Sequence, residues 1–368
     1  MKLSNLKSKL LIILFLFFGF VGFAKDDNEA DHGQGEFDPK EMILHHVKDA
    51  YGMHIATLNA QDEHPTHLSI PLPVIVYTDK GLTVFSSTAF HHDYHGHEIV
   101  ERDAQRFINL HEKVYVLDPE ATIVKLDQEG HPLNAHRPKF DLSITRNVFM
   151  MWVSIALLLF IFLSAARRYK KEENYVPSGI ASFVEPLIVF VRDEIGKPMI
   201  GAHKYKPYMP YLLTIFFFIW INNIFGLIPI LNGANLSGNI AFTFTLAVLT
   251  FIITTFSGNK NYWRHIFWMP GVPVPMKIFL MPIEIIGMFV KPISLMIRLF
   301  ANITAGHVII LALMSLIFVF KSVAIAPVSV AFSLFITVIE VIVTAIQAYI
   351  FTILSALYFG MATEEEHH

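Results

Sequence analysis

Between residues 145 and 358 the chain carries five apolar runs, two of them far longer than a membrane requires. They lie at about Thr145–Ala166, Tyr208–Pro229, Leu236–Phe256, Phe279–Phe320 and Ala324–Tyr358. A helix needs roughly 20 apolar residues to cross a hydrocarbon core of about 30 Å. The fourth run, some 40 residues at about 1.5 Å each, would reach about 60 Å, so it must lie tilted or bent, and it carries Pro282 and Pro292. The fifth has the same excess and is expected antiparallel beside it. Composition agrees with a membrane protein: 54% of residues are hydrophobic, 33 are Phe and only 16% are charged, against about 25% charged in soluble domains. The expected class is all-α and polytopic, with a small β-containing N-terminal domain.

The ends of the runs suggest an orientation. Arg167-Arg168-Tyr-Lys170-Lys171 closes the first and belongs on the cytoplasmic side, as do Lys260, Arg264 and Lys277 after the third. Between the second and third lies a short polar turn, Asn232-Gly-Ala-Asn235. Residues 1–24 pair Lys2, Lys7 and Lys9 with an apolar run and end in Gly22-Phe-Ala24. This reads as a cleaved export signal; an uncleaved anchor is the other reading, for which the run is short. Both features place residues 25–140 outside the cytoplasm and the C-terminus inside, leaving residues 141–368 as the membrane domain. A bacterial inner membrane is the expected location.

The exported stretch holds thirteen of the 18 histidines. Val74–Tyr77 and Leu82–Phe85 around Thr78-Asp-Lys-Gly81 predict a hairpin, and Val114–Val116 and Thr122–Val124 predict further short strands. Imidazoles in His91-His92-Asp93-Tyr94-His95-Gly96-His97 suit zinc, copper or nickel, but the spacing matches no recognised site and no metal is assigned. Cys 0 rules out disulfides and thiolate ligation. The net charge of −3 gives no reason to expect a nucleic-acid partner. Before the second run, Val184, Leu187, Val191 and Ile195 share one side of an expected amphipathic helix on the cytoplasmic surface.

Inside the fourth run stands a fixed charge. Arg298 keeps its proton at any workable pH, and an intramembrane arginine costs roughly 2.5–3.5 kcal/mol on insertion scales. It can steer moving charges but cannot carry them. Glu284, Lys291 and Arg298 are spaced by seven and drift only about 20° per step, so they share a stripe. Asn302 lies one turn further on nearly the same face, and His307 points to the opposite side. In the fifth run Glu340, Thr344 and Gln347 fall at i, i+4 and i+7, again one face. A buried carboxylate and an imidazole both titrate within reach of neutrality, so Glu340 and His307 are candidates to pass protons. Plainer readings stand beside these: Glu284 and Lys291 snorkelling to the interface, His307 as a core histidine, Gln347 as a packing amide, and Arg298 paired with Glu340 as interhelical glue.

These residues resemble subunit a of the F-type ATP synthase. The likeness lies in Lys291-Pro-Ile-Ser, in Arg298-Leu-Phe-Ala-Asn302-Ile-Thr-Ala-Gly-His307, in Glu340 through Gln347-Ala-Tyr-Ile-Phe351, in the tail from Met361, and more weakly in Asn223-Ile-Phe-Gly-Leu-Ile-Pro229. It runs from about Phe140 to the C-terminus. The resemblance implies that Arg298 faces the carboxylate of a rotating c-subunit ring and separates two aqueous half-channels. It also implies that Asn302, His307, Glu340 and Gln347 line the outer half-channel and Glu284 the cytoplasmic one. In some members the acid and the histidine exchange places, so His307 with Glu340 is a compensated swap; Gly226 stands where some relatives carry an acid. The implied partners are the c-ring, b-type peripheral-stalk subunits, the bilayer and protons, the choice against sodium resting mostly on the ring. No Gly-x-x-x-x-Gly-Lys-Ser/Thr loop is present, so ATP chemistry is left to other subunits and no cofactor is expected. The rival class is a transporter or channel gated by its own Arg298–Glu340 pair, without a rotor. It lacks the inverted repeat that many transporters show. A metal-binding export protein with a membrane anchor ranks third, because it leaves the charged stripe unused.

Overall fold

A computed structural model describes residues 48–58, 66–91, 93–121, 123–127, 130–171, 179–228 and 236–365. The signal, the Asn232–Asn235 turn, His45, His46, His92 and the last three residues of the tail lie outside these. The chain divides into two units. In the smaller, residues 54–69, β1 (Gly52–Leu58) and β2 (Thr66–Pro71) pair as a two-stranded sheet. The larger holds the described residues 48–53 and all from residue 70 onward.

The expected hairpin forms. β3 (Pro73–Thr78) pairs with β4 (Gly81–Ser86) in a register that sets Val74 opposite Phe85 and Thr78 opposite Gly81. Val74 and Val76 point inward with Thr83 and Phe85, as the period of two requires. β9 (Phe140–Asp141) adds to β3 on the other side. A second sheet runs β5 (Val100–Arg102), β6 (Gln105–Asn109), β7 (Val114–Leu117), β8 (Ala135–His136), with neighbours hydrogen-bonded in that order. Phe90, Phe107, Val114 and Val116 close the core between them.

Ile123 and Val124, expected as strand, are irregular. The reason is Asn134, whose Nδ2 donates to the Ile123 carbonyl at 2.7 Å and whose Oδ1 accepts the Lys125 amide at 2.8 Å. A side-chain amide supplies the bonds a neighbouring strand would have made.

The β-domain passes into the membrane helices without slack. The Leu142 and Ile144 amides donate to the carbonyls of Ile75 and Pro73, and that of Arg146 to Ala50, at 2.9, 3.1 and 2.9 Å. There α1 (Arg146–Lys171) begins. α2 (Ile180–Phe190) continues through a π turn, Val191–Gly196, into the short α3 (Lys197–Ile200). Then come α4 (Met209–Leu227), α5 (Ile240–Ser257), the short α6 (Lys260–Phe267), α7 (Val274–Val319) and α8 (Ala326–Thr363). Among the described residues five helices are long and apolar enough to cross a membrane, at the five positions read from sequence. At about 1.5 Å per residue the 46 residues of α7 span about 69 Å, and the helix persists through both prolines. α7 and α8 pack together.

The apolar side of α2 and its π turn is not left for lipid. Val184, Val191 and Ile195 are buried in one core with Leu212 and Ile215 of α4 and Phe351 and Phe359 of α8. The same face that would favour a membrane surface favours protein more, because two helix ends converge on it. In the π turn, Arg192 donates to Asp193 at 2.9 and 2.8 Å and Lys197 lies 2.6 Å from it. Arg192 foremost, then Lys197, hold the Asp193 carboxyl well below the usual carboxylate range.

The end of α8 is capped across the fold. Lys204 Nζ donates to the Thr363 carbonyl at 2.8 Å, the Asn259 amide to Ala362 at 3.0 Å and Asn259 Nδ2 to Glu364 at 2.6 Å. These satisfy carbonyls a helix end leaves unpaired and oppose a cation to its dipole. One turn earlier Gly360 lies against the backbone of α3: a Cβ there would come within 1.9 Å of the Met199 carbonyl oxygen. Backbone cannot swing aside as a side chain can, so Gly360→Ala is expected to cost about 1–3 kcal/mol or more. The check is the melting temperature of the purified complex; an unchanged value would show that α3 yields.

Candidate functional site

α7 presents two unlike faces. Leu295, Leu299, Ile303 and Gly306 recur at steps of four, four and three, and all are buried. Arg298 and Asn302 stand on the exposed side, while Lys291 and Glu284 are half-buried. Opposite, α8 buries Glu340, Thr344 and Gln347, at 4%, 0% and 4% exposure. The two rows meet at Gly306. A Cβ on that residue would lie 2.1 Å from both carboxylate oxygens of Glu340, so the missing side chain is what admits the acid.

His307 follows Gly306 on α7 and is half-buried. The backbone of Gly226, a buried residue near the end of α4, is close enough to act on its ring. One turn back on α4, Asn223 accepts from Ser237 at 2.5 Å. His307 Nδ1, Glu340 Oε1 and Asn223 Nδ2 are buried with no hydrogen-bond partner among the described residues. Such atoms cost about 1–3 kcal/mol each when left unpaired.

Thus the structure packs Glu340 against Gly306, buries Thr344 and Gln347 along the same side of α8, and sets Arg298 and Asn302 on the exposed side of α7. None of the ion pairs formed among the described residues includes Arg298 or Glu340. The interhelical-glue reading of Arg298 is therefore not the arrangement found. No three His, Asp or Glu side chains converge among the described residues, and the His95 and His97 rings lie tilted by 43° with centroids 6.0 Å apart.

A second polar region lies nearer the start of α7. Thr250, Thr254, Tyr262, Lys291 and Tyr358, with Met288 and Pro292, line a cleft. Lys291 Nζ sits 5.8 Å from the centre of the Tyr358 ring, and Arg298 is close enough to act on the same phenol. Burial, with the Glu284 charge adding to it, pushes the Tyr262 phenol above its ordinary range. Thr250 Oγ1 lies 2.7 Å from the Tyr211 hydroxyl and 3.4 Å from Ser355 Oγ. So Lys291 and Arg298 share the neighbourhood of Tyr358 in α8, and Glu284 acts on Tyr262 in α6. Sequence reading missed Tyr211, Thr250, Tyr262 and Tyr358: a threonine in an apolar helix commonly bonds its own turn, as Thr250 does to the Leu246 carbonyl at 3.1 Å, and a tyrosine in such a run reads as an apolar or interfacial ring.

Residues 148–360 match the family model described as ATP synthase A chain, and residues 42–142 match a domain of unknown function, DUF8433. The chain is 45% identical over 273 residues to an ATP synthase subunit a of Chloroherpeton thalassium, covering 68% of this chain and 79% of the relative. To an ATP synthase subunit a 2 of Prosthecochloris aestuarii it is 47% identical over 236 residues, 62% of this chain and 71% of the relative. To an ATP synthase subunit a of Anaeromyxobacter it is 39% identical over 260 residues, 67% and 62%. With its five candidate spans and paired long helices, the chain belongs to the ATP synthase A chain family, as a multi-pass, non-catalytic membrane subunit.

Proposed function

We propose that this chain is the stator that carries protons past a rotating ring of c subunits through two half-channels divided by Arg298. The observation that carries the reading is the exposure of Arg298 and Asn302 on an apolar helix face, among Ile293, Ile297 and Ile309. Lipid cannot cover a guanidinium there without a cost of roughly 2.5–3.5 kcal/mol. A ring that brings its own carboxylate to that face turns the cost into attraction. A rotorless transporter gated by an Arg298–Glu340 pair would need those two groups together, and they are not.

In this reading a proton enters from outside by way of His307 and Glu340, with Asn302 and Gln347 positioning it, and neutralises a ring carboxylate. The neutral site travels through lipid and is met by Arg298, which favours the ionised form. The proton leaves past Tyr358, Lys291, Tyr262 and Glu284 to the cytoplasm. Each charge crossing 100 mV releases about 2.3 kcal/mol. The basic end of α1 sets the orientation, with residues 25–140 as an exported domain and b-type stalk subunits holding the stator in an inner membrane.

The test uses vesicles whose only subunit of this kind is the present chain. An imposed proton gradient is expected to drive ATP synthesis, a protonophore to abolish it, and a sodium ionophore to leave it unchanged. Synthesis that instead follows a sodium gradient would overturn the proton assignment.

A further inference from the structure

The exported β-domain comes near the candidate proton path at the buried cation Arg146. Arg146, the first residue of α1, is 4% exposed, and its Nη2 donates to the Lys48 carbonyl at 2.8 Å. Beside it the Asp49 carboxylate accepts the Asn147 amide at 3.0 Å, capping α1 from 98 residues away. Asp49 and Glu112 both act electrostatically on Arg146, and Arg146 in turn acts on His307. Asn147 is 5% exposed and its Oδ1 is buried without a hydrogen-bond partner among the described residues, as is His307 Nδ1.

From this we infer that the β-domain forms the entrance of the outer half-channel, with Asp49 as the residue that offsets the Arg146 charge in front of His307. The inference rests on the half-channel reading above. A proton moving inward adds positive charge near a guanidinium, which opposes it. A carboxylate fixed beside that guanidinium cancels the opposition, and Glu112 on the neighbouring strand connection adds to it. Tyr51, whose hydroxyl donates to Asp141, closes the charged group on the side of β9. Burial holds the Asp49 carboxyl above the usual carboxylate range, so it exchanges protons at a higher pH than an exposed aspartate. The domain thus has a role in conduction and is not only a cover.

The test is Asp49→Asn in the assembled complex. Asparagine caps a helix as well as aspartate does, so the fold stands while the charge is removed. The readout is passive proton conduction of the membrane sector in vesicles, measured against outside pH. One uncompensated neighbour shifts a histidine by about one unit, so conduction at alkaline outside pH is expected to fall about tenfold and to recover as the outside is acidified. Adding Arg146→Gln to Asp49→Asn is expected to restore conduction; the dependence of the single variant's loss on outside pH, in a complex that assembles normally, is what a merely structural role of Asp49 would not produce. Wild-type conduction by Asp49→Asn at every outside pH would overturn the inference. Glu340→Gln is run in parallel: if it too conducts normally, the half-channel reading itself fails, whereas loss in Glu340→Gln alone condemns only the role of Asp49.

Discussion

Arg298→Ala, in a complex that assembles normally, is expected to bring ATP synthesis driven by an imposed proton gradient down to background. The side chain is exposed and pairs with no carboxylate among the described residues, so its removal leaves the packing of Leu295, Leu299 and Ile303 as it was. Loss of function with retained assembly is therefore a clean outcome. Two effects act together. Without the guanidinium a ring carboxylate passing this face in lipid stays protonated, because desolvation disfavours its charge; and nothing bars a proton from slipping between the two polar regions. Arg298→Lys keeps a charge but loses the fixed, planar fork and the inability to deprotonate, so partial synthesis is expected at best. Synthesis at the wild-type rate in Arg298→Ala would mean that this face does not meet a rotor.

The membrane helices were legible because their signal is length and apolarity, which lipid enforces over whole segments. The hairpin at Val74–Phe85 was legible because alternation and a glycine-containing turn coincide. The neighbouring hairpin β5–β6 was not. Its turn is Asp103-Ala104, both at positive φ, 49° and 55°; such a turn ordinarily advertises itself with Asn-Gly or Asp-Gly, and alanine carries no such signal. The stripe of Glu284, Lys291 and Arg298 could be read from helical spacing alone, since charges within lipid stand out. Arg146 could not. At the edge of an apolar run a single arginine reads as an ordinary flank, and only the fold brings Asp49 to it across 97 residues of sequence. Gly306 was invisible for another reason: a glycine in a membrane helix is common, and its meaning lies in the Glu340 carboxylate packed where its side chain would be.

That packing yields the second large effect. Gly306→Val is expected to abolish proton conduction through the membrane sector while Arg298 stays in place. The first added carbon would sit 2.1 Å from both Glu340 oxygens and 2.2 Å from the carbon between them, far inside van der Waals contact. Overpacking of this kind costs about 1–3 kcal/mol, which the long α7–α8 contact can absorb, but the carboxylate must leave the place it occupies against Gly306. Proton transfer needs donor and acceptor within hydrogen-bond reach or one water apart, so a displaced Glu340 breaks the path even when the helices still pair. Gly306→Val with Glu340→Ala separates the two consequences: removing the carboxylate relieves the clash and should return the yield of assembled complex, yet leave conduction absent. If Gly306→Val conducts as the wild type does, the Glu340 carboxylate works equally well elsewhere, and the close approach of α7 and α8 at this point serves packing alone.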